Sequence, residues 1–197
     1  MRLAIAVDDP VEPDAPRWYV INTMKALAIT AASIAALSLV AIAHAEDKRK
    51  SPHAEVSATV GGKKVTVSYG RPYMKGRAIF GSLVPWDAVW RTGADEATTF
   101  TTDADLMVGA LKVPKGEYAL FTIPTEKQWT LVLNKTAKQW GAFKYDAAQD
   151  LGRTPMPVAS VGKPVEQFTI EMVTTGKQLT MKLSWDKTVA SVVIAQP

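Results

Sequence analysis

The chain has 197 residues, of which 47% are hydrophobic and 21% charged, with 12 Gly, 12 Pro, no Cys and a formal net charge of +4. These proportions are ordinary for a globular protein and exclude a disordered, collagen-like or disulfide-stapled chain. Because the basic residues are scattered along the chain, apart from Lys48-Arg49-Lys50 and Lys63-Lys64, we expect no nucleic acid among its partners.

Residues 24–45 have the pattern of a secretory signal peptide. Lys25 precedes an apolar stretch from Ala26 to Ile42, which leads into Ala43-His44-Ala45, a small-x-small cleavage site. A membrane anchor is the alternative, since about 18 apolar residues can span a bilayer, but this stretch is rich in Ala. We expect cleavage after residue 45, no stable membrane anchor afterwards, and a periplasmic or secreted product.

The segments on either side of this signal have different roles. Residues 1–23 carry four acidic residues and three prolines, which do not suit a signal peptide, so we interpret them as a spurious extension upstream of a start at Met24. Residues 46–54 form a charged linker, and residues 55–197 are predicted to fold as one domain.

The first strands are predicted from alternating apolar and polar residues. Residues 56–60 and 65–69 alternate on either side of Gly61-Gly62, a pair that favours a hairpin turn because both positions need a positive φ. Three further β-prone runs follow, and the run from Glu117 to Ile123 is apolar enough to be buried on both faces. The other two runs are residues 97–102 and 128–133, and residues 105–113 contain four further apolar residues, Leu106, Val108, Leu111 and Val113.

The last third of the chain repeats this pattern. Residues 168–172 and 179–185 alternate, and Asp186-Lys187 is predicted to turn the chain into a last strand over 188–194. Alternation with period two places one face on a core and one in water, which is typical of antiparallel sheets. We therefore predict an all-β fold, a single antiparallel β-sandwich domain of the jelly-roll type.

One long segment, residues 71–96, interrupts the strand pattern. Compact domains rarely contain irregular connections longer than about 12–15 residues unless these are functional. The segment mixes guanidinium, indole and carboxylate groups, which together can hold a planar or anionic ligand. The alternative is a packed crossover in which the tryptophans fill the edge of the core and the charges pair with one another. The sequence leaves both interpretations open.

A second aromatic cluster occupies residues 140–145 and is followed by Asp150 and Arg153. Exposed aromatic rings with polar neighbours bind sugars or peptides. More often, such a stretch covers an open end of a sandwich.

Missing residue types limit the possible chemistry. After signal cleavage His53 is the remaining histidine, so zinc and copper sites are excluded and no cofactor is expected. A Ser-His-Asp triad would need His53 near the terminus, and no G-x-S-x-G motif is present. The catalysis that remains possible is of the glycosidase type, in which two carboxylates act as acid and base. Asp95 or Glu96 would then pair with Asp87 or Asp150 across a cleft.

Residues 90–98 contain the block W-R-T-G-A-x-E-A-T, and further motifs extend from Ser51 to Trp185. On these motifs, the chain resembles the domain of unknown function 2911 family of exported bacterial proteins over residues 51–185. The block is the most specific match, although Asp95 stands where Asn is expected. The resemblance implies export but no activity, cofactor or catalytic residue. An uncharged residue at that position would make Glu96 a better candidate acid than Asp95. The matching residues are Ser51 to Ala54, Tyr69 to Pro72, Lys75 to Arg77, Ile79 to Gly81, Leu83 to Pro85, Val89 to Thr98, Gly116 to Pro124, Trp129 and Trp140-Gly141.

The main functional hypothesis is a non-catalytic, ligand-binding or envelope-associated domain whose partner is an envelope glycan or a small anionic ligand. The alternatives are a hydrolase that acts on an envelope polymer, with Glu96 as acid or base and Arg91 holding substrate charge, and a structural domain that binds through a sheet edge. The candidate ligand-binding residues are Arg71, Lys75, Arg77, Trp90, Arg91, Asp95, Glu96 and Thr98.

Overall fold

A computed structural model of the chain describes residues 49–197. This part contains nine strands and one short 3-10 helix, Ala147–Gln149. The strands are β1 His53–Val60, β2 Lys63–Gly70, β3 Thr98–Thr102, β4 Leu106–Val108, β5 Leu111–Val113, β6 Gly116–Pro124, β7 Gln128–Asn134, β8 Asp150–Thr175 and β9 Gln178–Ala195.

All nine strands pair antiparallel in one sheet, in the order β1-β2-β3-β6-β7-β8-β9-β4-β5. The long strand β8 links the two parts of the sheet, because residues 150–157 pair with β7, and most of residues 158–175 pair with β9, with register shifts after Ser160 and after Val165. The sheet wraps around one main core, to which alternate residues of the strands contribute.

The end of β2 is joined to β8 across this core. The hydroxyl of Tyr69 accepts a hydrogen bond from the backbone N of Ile170 (2.8 Å) and donates one to its carbonyl (3.3 Å). Just after β2, the backbone N of Phe168 donates to the carbonyl of Pro72 (2.9 Å). These bonds bring the start of segment 71–96 against β8.

A smaller second core lies on the other face of the sheet. In β6, Leu120 belongs to the main core, whereas Ala119 and Phe121 pack in the second with Val132 of β7. Ala142 and Tyr145, from the connection between β7 and β8, cover this second core. As predicted, β6 is therefore buried on both faces.

The prediction of an all-β antiparallel fold is confirmed, and so is the hairpin at Gly61-Gly62, where both residues have positive φ values of 57° and 76°. The structure does not confirm the sandwich or jelly roll, because β8 runs on without interruption and joins all strands into one sheet.

Within residues 105–113, β4 and β5 form a hairpin, because Gly109 adopts a φ of 57° and reverses the chain. One local prediction was wrong. Asp186-Lys187 does not end a strand. Asp186 has a φ of 50° and pairs with Val165 at a register shift, so β9 continues through it as a bulge.

The predicted signal peptide and the upstream extension lie outside the described residues and stay predictions. Within residues 49–197, none of the helical structure has the length and hydrophobicity needed to cross a membrane.

Candidate functional site

Segment 71–96 lacks long strands, but backbone bonds to the sheet fix its course. Met74 donates its backbone N–H to the carbonyl of Glu166 on β8 (2.7 Å). Trp90 and Thr122 of β6 exchange two backbone hydrogen bonds, of 2.8 and 3.0 Å. The segment is thus held against two strands, β8 and β6.

Two glycines allow the ends of this segment to approach each other. A Cβ placed on Gly70 would lie 2.3 Å from the carbonyl oxygen of Ala94, and one on Gly93 would lie 2.8 Å from the carbonyl oxygen of Gly70. Real Cβ atoms do not approach backbone so closely, so the contact depends on both glycines. It fixes the position of Asp95 and Glu96, which follow directly.

The segment forms the wall of a cleft of about 770 Å³, which we call the basic cleft. Its volume lies within the range of about 300–1,000 Å³ that is typical of small-molecule sites. Cationic, apolar and aromatic residues line it together. The lining residues are Lys50, Ser51, Pro72, Tyr73, Lys75, Arg77, Leu83, Val84, Val89, Trp90, Arg91, Gly93, Ala94, Asp95, Ala142, Phe143 and Trp185.

Positive charge dominates the basic cleft. Four cations line it, Lys50, Lys75, Arg77 and Arg91, against one carboxylate, Asp95. Within residues 49–197, none of the four cations forms an ion pair. The guanidinium of Arg77 donates to the carbonyl of Met74 (2.9 Å), and that of Arg91 donates to the carbonyl of Gly93 (3.3 Å). These bonds orient the guanidinium groups without neutralising them.

Two stacked indoles form part of the apolar lining. The rings of Trp90 and Trp185 lie 5.9 Å apart and are inclined by 14°. Trp185 is 1% exposed, and its Nε1 has no hydrogen-bond acceptor among the residues that the structure describes. Phe143 also lines the cleft and is 82% exposed. The basic cleft therefore combines an apolar surface with uncompensated cations.

A second cleft, of about 470 Å³, is lined mainly by polar residues, and we call it the polar cleft. His53 Nε2 lies 3.0 Å from Glu96 Oε2 and 3.7 Å from Asp95 Oδ2. Arg49 also approaches Glu96, at 3.6 Å. The lining residues are Arg49, His53, Ser68, Tyr69, Glu96, Ala97, Thr99, Glu117, Ala137, Lys138, Gln139 and Trp140.

The structure brings five of the eight predicted ligand-binding residues together in the basic cleft. Glu96 lines the polar cleft instead. Arg71 lines neither, because its guanidinium donates to the Phe168 carbonyl (3.2 Å) and the Thr169 hydroxyl (2.9 Å) of β8. Thr98 is fully buried and donates to the carbonyl of Thr92 (2.7 Å). The five that converge are Lys75, Arg77, Trp90, Arg91 and Asp95.

The predicted carboxylate pairs do not share a cleft. Asp87 lines a separate small cavity, and Asp150 accepts hydrogen bonds from Tyr145 (2.8 Å) and Arg153 (2.9 Å). Burial, followed by the hydrogen bond to Asp150, raises the pKa of the Tyr145 phenol. The same carboxylate raises the pKa of Arg153. Asp150 thus belongs to a hydrogen-bonded cluster with Tyr145 and Arg153 and does not face Asp95 or Glu96 across a cleft.

Sequence reasoning did not include Lys50, Tyr73 and Trp185 in the basic cleft, or Gln139 in the polar cleft. In the sequence, Trp185 is one more residue of an alternating strand, and Lys50 belongs to the charged linker. Nothing in the local pattern marks either of them. Among residues 49–197, no group of three or more His, Asp and Glu side chains is arranged to hold a metal ion.

A family model described as "Protein of unknown function (DUF2911)" matches residues 51–194. The match spans all nine strands except the last residue of β9, and it includes almost all lining residues of both clefts. No curated protein and no solved structure matches the chain.

Proposed function

The chain belongs to the domain of unknown function 2911 family, and from that premise we propose that it is an exported, non-catalytic binding protein whose basic cleft holds a small organic anion. The carrying observation is the charge balance of the cleft: among residues 49–197, four cations without an ion pair and one carboxylate line a volume of about 770 Å³. An anion would gain attraction from several cations that no carboxylate of the described chain neutralises.

The shape of the ligand follows from the other lining residues. Leu83, Val84 and Val89 contribute apolar surface beside the stacked indoles. The Nε1 of Trp185, buried without an acceptor, favours a ligand with a hydrogen-bond acceptor close to its apolar part. We therefore expect a carboxylate or phosphate on an aromatic or aliphatic body, with lower affinity for inorganic phosphate alone.

Calorimetric titration of the full-length chain tests this proposal. Phenyl phosphate and hexanoate should bind, and benzylamine, which carries the opposite charge on a similar body, should not. Replacing both Lys75 and Arg77 by Ala should lower the affinity about tenfold or more, and so should an increase in salt, because salt screens exposed charges.

The matched control is the double variant Lys63→Ala, Lys187→Ala. It removes the same net charge from two exposed positions that line neither cleft. Unchanged affinity in this control supports a local site. No binding of either anion, or an equal loss in both double variants, would overturn the proposal.

Export is part of the same proposal and has its own test. The pattern of residues 24–45 supports cleavage after Ala45. Intact mass of the protein recovered from the periplasm or medium should correspond to a chain that begins at Glu46. Any other first residue contradicts the predicted cleavage site.

Hydrolysis of an envelope polymer is the second candidate function. The observation in its favour is that Glu96 lies 3.0 Å from His53 in a cleft that also contains the carboxylate of Glu117. Arg91 would not hold the substrate there, because it lines the other cleft. Release of reducing ends from peptidoglycan fragments, lost in Glu96→Gln and kept in Glu55→Gln, would support hydrolysis. No release by the unmodified chain would reject it.

A further inference from the structure

We infer that the polar cleft is a second ligand site, separate from the basic cleft, and that it binds an uncharged sugar ring of a carbohydrate stacked on Trp140. This inference does not depend on anion binding in the basic cleft. It follows from three features of the polar cleft: its charge balance, an exposed indole, and polar groups arranged around that indole.

The charges of the polar cleft largely cancel one another. Its carboxylates, Glu96 and Glu117, approach Arg49 and Lys138 at 3.6 and 4.0 Å respectively. The basic cleft has no such pairing among residues 49–197. A charged ligand would gain little from this balanced arrangement, whereas a neutral ligand with many hydroxyl groups can bond to both signs.

Trp140 supplies the apolar surface that a sugar ring needs. It is 59% exposed, an unusual state for a large aromatic side chain. Its backbone is nevertheless fixed, because residues 96 and 140 form an isolated bridge and Gly141 donates its N–H to the carbonyl of Asp95 (3.1 Å). An exposed ring on a fixed backbone offers a flat apolar platform at low entropic cost.

Polar side chains surround this platform. Ser68 and Thr99 contribute hydroxyl groups, which both donate and accept. Gln139 is held by the bond from its Nε2 to the carbonyl of Thr136 (2.8 Å), while its buried Oε1 has no donor among the described residues. A buried acceptor without a partner is costly, and a ligand hydroxyl would satisfy it.

The volume fits this class of ligand. About 470 Å³ lies towards the lower part of the range for small-molecule sites, about 300–1,000 Å³, and suits one or two rings of an oligosaccharide. The surface is open at Trp140, so further rings can extend into solvent. We therefore expect weak affinity for single sugars and tighter binding of short oligosaccharides.

The experiment is a ¹H–¹⁵N NMR titration of the full-length chain with chitotriose, cellotriose and maltotriose at millimolar concentration. The Trp140 indole resonance, assigned by comparison with Trp140→Phe, should shift with at least one of them. Trp140→Ala should weaken that binding about tenfold, and Gln139→Leu should weaken it as well. Because the ligand is uncharged, added salt should leave the affinity unchanged, unlike that of the basic cleft.

The matched control is Phe143→Ala, which removes another highly exposed aromatic ring of the described chain, one that lines the basic cleft. It should leave oligosaccharide binding within about twofold of the unmodified chain. No shift of Trp140 with any of the three sugars would overturn the inference. Equal weakening in Phe143→Ala and Trp140→Ala, or a strong salt dependence, would overturn it too. Binding of phenyl phosphate tests the other cleft separately.

Discussion

Asp95 and Glu96 are neighbours in the chain, but Asp95 lines the basic cleft and Glu96 lines the polar cleft. Asp95 adopts a φ of 64°, in the left-handed region. Asn and Asp are among the few residues with a side chain that enter this region readily. The expected Asn at this position is thus explained by backbone geometry.

Asp95→Asn should therefore keep the fold and strengthen anion binding. The substitution preserves the backbone preference and removes the one carboxylate that residues 49–197 contribute to the basic cleft. We expect the affinity for phenyl phosphate to rise about twofold to fivefold, because removing one exposed repulsive charge changes a binding free energy by less than about 1 kcal/mol. Calorimetry measures the affinity. Asp95→Ala is the comparison, because it should lose about 1 kcal/mol of stability from the strained φ. Weaker binding in Asp95→Asn would contradict the charge argument.

Gly70→Ala should destabilise the protein and displace residues 93–95. The new Cβ would meet the backbone carbonyl of Ala94 at 2.3 Å, and that carbonyl belongs to the chain on which both clefts depend. Thermal unfolding should show a loss of about 2 kcal/mol or more. Gly162→Ala is the control, since nothing lies within 4 Å of its added Cβ. Equal stability of the two variants would contradict this account.

Trp90→Ala should fail as a binding test because it damages the core. Its ring packs against Phe80, Trp129, Phe168 and Trp185. We expect a loss of about 3 kcal/mol or more in urea unfolding, and a smaller loss for Trp90→Phe, which keeps an aromatic ring. If Trp90→Ala unfolds at the same urea concentration as the unmodified chain, this packing does not stabilise the fold.

The packing of segment 71–96 follows the packed-crossover interpretation only in part. Trp90 fills the edge of the core, as a packed crossover requires, whereas Arg77 and Arg91 remain without carboxylate partners among residues 49–197. Sequence indicates which residue types the segment contains. It does not indicate that Thr92 and Thr98 are buried or that the Thr98 hydroxyl donates to the Thr92 carbonyl, and for this reason it places Thr98 among the candidate ligand-binding residues.

The strand pairs were predictable from the sequence because alternation determines which face of a strand is buried. The joining of all strands into a single continuous sheet was not predictable in this way. Pro155, Pro157 and Pro164 suggest a break, yet β8 continues through all three. Over residues 150–157 it has a strand partner on one side, β7, and prolines are tolerated at such an edge. The path of the sheet depends on distant contacts, such as Tyr69 with Ile170, that local pattern does not encode.

Tyr69→Phe should destabilise the junction between β2 and β8. The phenol accepts from the buried N–H of Ile170 at 2.8 Å, and removing it leaves that donor without its partner. The expected loss is about 1–3 kcal/mol in urea unfolding at neutral pH. Tyr73→Phe is the comparison, because the Tyr73 side chain is half-exposed and lines the basic cleft. A loss no larger than that of Tyr73→Phe would show that the bond contributes little.

Because of the Tyr69 phenol, the free energy of unfolding should depend on pH. Burial raises the pKa of Tyr69 above its usual value of 10.0, and burial likewise raises the pKa of Tyr118 and Tyr145. Above that pH the unfolded chain releases these protons while the folded chain retains them. The free energy of unfolding should therefore fall as the pH rises through about 10 and be unaffected by these groups below it.

Urea unfolding from about pH 9 to about pH 11 measures this effect. The stability difference between the unmodified chain and Tyr69→Phe should narrow as the pH rises, because phenylalanine has no proton to lose. A difference that stays constant over this interval would mean that the Tyr69 phenol ionises equally in the folded and unfolded chains. In that case burial between β2 and β8 does not control its proton.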